Sequence, residues 1–137
     1  MNFGHQLRKN ITNESVAYGY TLAVWGSGAL LLNSFQTMPA DILSFVIGGV
    51  TGFALLSIIA FKGLVTHVDI DQDNDYVPAS MIHILASLGT VVANYIIITQ
   101  LPQPSKILIF LTVGLNTTFL YNLMLVAESY VTKNLLK

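Results

Sequence analysis

The chain has 137 residues, of which 53% are hydrophobic and only 9% charged, with 6 Lys plus Arg against 7 Asp plus Glu. Soluble domains carry about 25% charged residues, so this composition points away from a water-soluble globule. A formal net charge of −1 excludes the basic surface that nucleic-acid binding needs. The absence of cysteine excludes disulfides, thiolate metal ligands and thiol catalysis.

In chain order, the N-terminal segment places Phe3, Leu7 and Ile11 at four-residue intervals, with Arg8 and Lys9 on other faces. That pattern suits either a short helix in the headgroup region or a frayed terminus. The first apolar stretch, residues 16–34, is long enough at ~1.5 Å per residue to cross a ~30 Å hydrocarbon layer. No small-residue cleavage site ends it, so it reads as a retained helix, with Asn13 or Ser15 as its expected cap. The triplets beginning at Asn10 and Asn13 match glycosylation acceptors but read as chance matches, because they fall on the predicted cytoplasmic side. Gly19, Ala23 and Ser27 recur every four residues, and Gly48 with Gly52 does so in the second stretch, residues 42–61. Small residues at this spacing let helix backbones approach, within one bundle or between subunits.

The loop between the second and third stretches carries Asp69, Asp71, Asp73 and Asp75, alternating with other residues. Its first positions imitate a Ca²⁺-binding EF-hand loop, but Asn74 stands at the glycine position and Ser80 where the bidentate glutamate belongs. The loop reads as a weak Ca²⁺ site, as an acidic vestibule that attracts cations, or as an ordinary solvated segment.

In the third stretch, residues 79–99, Ser80, His83, Ser87, Thr90 and Asn94 follow steps of three and four and share one helical face. The fourth, residues 107–127, adds Thr112, Asn116, Thr117, Thr118 and Asn122. An unpaired amide in hydrocarbon costs several kcal/mol, so the two polar regions are expected to face each other or a wet cavity. As structure they would bond across helices; as function they would line a route for water, an ion or a small polar solute. No Asp, Glu, Lys or Arg lies deep in any stretch, which argues against a buried-carboxylate proton exchanger or an arginine voltage sensor. His83 and Glu128 remain as titratable groups near such a route.

These elements predict an all-α polytopic membrane protein. One domain spans residues 1–137, with four transmembrane helices arranged as two tandem hairpins. A 65-residue shift aligns Pro39, Ile42, Leu43, Phe45, Gly49 and Leu55 with Pro104, Ile107, Leu108, Phe110, Gly114 and Leu120. Such a match reads as a duplication with a pseudo-twofold axis along the membrane normal, or as the Leu and Ile that any two apolar helices share. Arg8, Lys9, Lys62, Lys133 and Lys137 fall on one side and Lys106 on the other. By the positive-inside rule, both termini and the middle loop are expected in the cytoplasm, with Tyr18, Tyr20, Tyr76 and Tyr130 near that interface. A plasma membrane is the expected location.

No catalytic motif or paired-histidine site stands out, so an enzyme is not expected, nor a cofactor beyond weak Ca²⁺ at the loop. The leading expectation is a small channel or facilitator, oligomeric, passing an ion or polar solute along Ser80, His83, Ser87, Thr90, Asn94, Thr112, Asn116 and Asn122. The alternative is a noncatalytic accessory, assembly or immunity-type protein docking a membrane partner through small-residue faces. A lipid- or quinone-binding membrane enzyme comes third.

Overall fold

The computed structural model describes residues 2–61, 79–102 and 105–135, and these form an all-helical structure. Its elements are α1 (Phe3–Ser34), α2 (Pro39–Phe61), α3 (Ala79–Gln100) and α4 (Lys106–Leu135). The loop aspartates Asp69, Asp71, Asp73 and Asp75, and with them the cation readings, lie outside the described residues, as does the side chain of Ser80.

The start of α1 differs from expectation. Asn2, not Asn13 or Ser15, caps it, its side chain accepting a hydrogen bond from the Gly4 N–H at 3.1 Å. No proline interrupts residues 3–34, so the backbone ladder runs unbroken through the polar stretch before Val16. Helix continuity follows main-chain bonding, which charge patterning does not report. The resulting 32-residue helix is roughly 48 Å long, more than one hydrocarbon layer.

At the opposite end of the bundle, Pro39 opens α2, where its fixed φ and missing N–H cost nothing. Asp41 accepts from the Met38 N–H at 2.8 Å, and Ser105 accepts from the Leu108 N–H at 3.2 Å at the start of α4. Lys106 then joins the two turns, reaching the Asp41 carboxylate at 3.1 Å and the Gln36 carbonyl at 2.6 Å. Asp41 is buried. Asp41→Ala removes both the ion pair and the cap, whereas Asp41→Asn keeps an acceptor for Met38. Thermal unfolding in detergent should therefore fall further for the alanine variant than for the asparagine variant.

Among the described residues, two helices are long and apolar enough to cross a membrane, over Pro39–Ile59 and Lys106–Glu128, and α3 carries a shorter apolar stretch, Leu85–Gln100. Large apolar side chains stand on the outside while uncharged polar ones lie within, beside a small apolar core. Trp25 (74%), Phe53 (64%) and Ile59 (69%) are exposed, while Ser27, Ser87, Thr90, Asn94, Thr117 and Thr118 are buried. A bundle in water would lose hydrophobic stabilisation on the outside and face desolvation of hydroxyls within. In hydrocarbon the outer face costs nothing, and polar groups gain by turning inward.

Among the described residues, α4 packs closely against all three other helices and α1 against α3, but the backbones of α1 and α2, and of α2 and α3, do not come together. A strict pseudo-twofold would make the first hairpin pack like the second. Instead the second hairpin is closed and the first is open. The reason lies in the glycines between α2 and α4. A Cβ on Gly48 would run into the Leu111 carbonyl oxygen, one on Gly114 into the Phe45 carbonyl, and one on Gly52 would sit 2.8 Å from the Leu115 carbonyl. The two backbones are in direct contact, which holds α2 on α4 and away from α1. The remaining core consists of Leu31, Ile109, Phe110 and Val113 toward the Asp41–Lys106 end, and of Ala23, Ala86 and Tyr121 toward the other.

Candidate functional site

The polar face of α3 meets α1 and α4 at the middle of the bundle. Asn94 is fully buried there. Its amide nitrogen donates to Ser27 Oγ at 2.7 Å and to Thr117 Oγ1 at 2.8 Å, and its carbonyl oxygen accepts from Asn116 Nδ2 at 2.8 Å. A primary amide has two N–H donors, so both are taken. Thr117 passes its own hydrogen to the Val113 carbonyl at 2.7 Å. One side chain of α3 thereby joins three helices through a closed set of bonds.

One turn and more toward the α1 N-terminus, Ser87 Oγ lies 2.8 Å from the Gly19 carbonyl and 2.7 Å from the His83 carbonyl. Gly19 permits this approach, because a Cβ there would stand 3.1 Å from Ser87 Oγ and 3.2 Å from His83 Cβ. Gly19, Ala23 and Ser27 thus face α3 and α4, and Gly48 and Gly52 face α4. Among the described residues, His83 Nδ1 and the Thr90 hydroxyl are buried without a hydrogen-bond partner. Thr112 bonds to the Leu108 carbonyl of its own helix at 2.8 Å and does not join the Asn94 network. Among the described residues, no three His, Cys, Asp or Glu side chains come together as a metal ion would need.

The open first hairpin leaves a lateral groove of about 690 Å³ between α1 and α2, floored by α4. Val24 of α1 and Phe45, Val50 and Phe53 of α2 form its walls, Gly49 and Gly114 lie at its base, and Tyr20, Thr118 and Asn122 supply its polar groups. The Tyr20 hydroxyl and Thr118 Oγ1 are 3.0 Å apart, and the Tyr20 ring lies against Tyr121 with centroids 5.5 Å apart and planes tilted by 55°. Asn122 donates to the Thr118 carbonyl at 2.7 Å. Among the described residues, none that lines the groove is charged.

Tyr20 is the residue that sequence reasoning placed differently, at the interface as one of a belt of tyrosines. The structure packs it into the bundle, half-buried against α4. A signal was available, because Tyr20 lies seven residues before Ser27 and three before Ala23, on the side of α1 that carries the small residues. Against known protein families, curated proteins and solved structures alike, the chain has no match.

Proposed function

We propose that this chain is a noncatalytic accessory protein of the membrane: four helices cross the bilayer, with both termini and the middle loop on the cytoplasmic side, and one helix face receives another membrane protein. The observation that carries this reading is the closure of the Asn94 amide. The groups best placed to replace hydration along a route through α3 and α4 donate to and accept from one another. A conduit would need them turned toward water. A docking face, by contrast, is left open on α1. Ala17, Thr21 and Gly28 lie within about 40° of one another around the helix, Ala17 and Thr21 are exposed, and nothing stands within 4 Å of where a Gly28 Cβ would be. Uncovered small residues on an otherwise apolar surface are what a partner helix needs for close backbone contact.

The test pairs reconstitution with copurification. Alone in liposomes, the folded protein should be impermeable to ions and small polar solutes, and from its own membranes it should copurify with one membrane protein at fixed stoichiometry. Gly28→Leu should abolish that association while its unfolding temperature stays at the wild-type value. A solute flux that falls in Asn94→Leu would overturn the accessory reading in favour of an oligomeric channel along the α3–α4 face.

A further inference from the structure

We propose that the groove between α1 and α2 binds an uncharged lipid with a carbonyl oxygen at the end of an apolar body, quinone-like in its chemistry. The inference requires that the bundle be immersed in a bilayer, and because Ala17 belongs both to the groove lining and to the proposed docking face on α1, it is tested on the chain without a partner.

Size argues for a lipid over a helix. At about 690 Å³, the groove falls within the ~300–1,000 Å³ of small-molecule sites, and like them it has apolar walls with a few convergent polar groups. A spanning helix ~10 Å wide and ~30 Å long fills roughly 2,000 Å³ or more, far beyond what the groove can enclose. Charge argues for a neutral ligand, because among the described residues the lining holds no charged side chain to offset a charge held in hydrocarbon.

Depth narrows the class further. Thr118 stands twelve residues after Lys106 and ten before Glu128, or roughly 18 Å and 15 Å along α4, so the polar groups sit near the middle of the Lys106–Glu128 span. A phospholipid keeps its polar oxygens at the headgroup level and would bring only chain to this depth. An uncharged lipid whose oxygen travels with its apolar body can place that oxygen there.

The hydroxyl pair supplies the donor. Tyr20 and Thr118 have two hydroxyl hydrogens between them, and their mutual bond uses one. Thr118 is buried and Tyr20 half-buried. When Thr118 donates, the Tyr20 O–H is left for an acceptor in the groove. A carbonyl oxygen is such an acceptor; a saturated hydrocarbon has none.

The experiment uses the full chain in phosphatidylcholine nanodiscs, titrated with decylubiquinone and, in parallel, with hexadecane, and follows the unfolding temperature. A ligand that binds the folded state raises this temperature saturably. The quinone should do so and the alkane should not. Tyr20→Phe should weaken the apparent affinity at least tenfold, measured from that variant's own ligand-free value. Val50→Trp, which fills the groove from an exposed wall position, should abolish the shift. The proposal is overturned by a folded wild-type protein with no saturable shift, by an equal shift with hexadecane, or by undiminished quinone binding in Tyr20→Phe.

Discussion

Gly114→Ala should be among the most damaging single-methyl substitutions in this chain, lowering stability by about 3 kcal/mol, the upper end of the range for overpacking. The new Cβ would meet the Phe45 carbonyl, which is backbone and cannot swing aside. Since the α2 backbone comes close to α4 and to no other helix among the described residues, separating the pair leaves α2 without a compensating backbone contact. Two other glycines provide the scale. A Cβ on Gly89 meets the end of the Met124 side chain, a flexible group that can repack, so Gly89→Ala should cost about 1 kcal/mol or less. Gly28 has open space around it, and Gly28→Ala should be neutral or slightly stabilising through helix propensity. Unfolding by a denaturing detergent, followed by circular dichroism, would rank the three. An equal effect at Gly114 and Gly28 would mean that α2 and α4 are not in backbone contact.

What could be read without coordinates follows the physics of each signal. The apolar windows of α2 and α4 were legible because transfer free energy adds up residue by residue, and their starts were legible because Pro39 and the polar residues around Pro104 mark turns. The length of α1 was not, since Arg8 and Lys9 report where charge prefers to sit, while helix continuity depends on backbone bonding through residues whose side chains are polar. The spacing on α3 showed that Asn94 shares a face with other polar residues and pointed to partners across the bundle. That one of those partners is Ser27, 67 positions away in sequence, depends on how α1 crosses α3. The groove was illegible for a related reason: an opening is set by the helices whose backbones stay apart, and here that follows from three glycines pulling α2 onto α4. Tyr20 shows the same limit on a single residue, since an interfacial tyrosine and a buried one look alike until the rotation of the helix is known.

Asn94→Leu should cost about 3 kcal/mol, and the reasons can be separated by its neighbours. Interhelical hydrogen bonds in membranes average ~0.6 kcal/mol, and three are lost at once. The half-buried Asn116 amide also loses its acceptor, which adds about 1 kcal/mol for a donor left unpaired. Asn94→Asp should be nearly as damaging as Asn94→Leu: both N–H groups of the native amide are in use, and a carboxyl, protonated or not, offers at most one. Asn116→Leu gives up a single bond from a half-buried position but leaves the buried Asn94 carbonyl oxygen without its donor, and should cost about 1.5 kcal/mol. Thr112→Val, whose hydroxyl bonds only its own helix, should fall within ~0.5 kcal/mol of wild type. This ordering, Asn94→Leu and Asn94→Asp far below Asn116→Leu and then Thr112→Val, is what a closed network joining three helices requires. If the polar face of α3 were instead held open to water, Asn94→Leu would change stability little, because water would satisfy Ser27, Asn116 and Thr117 in its place. The same variant in the liposome assay would then report lost flux, so stability and permeability measured together on Asn94→Leu decide between a tie-bar and a conduit.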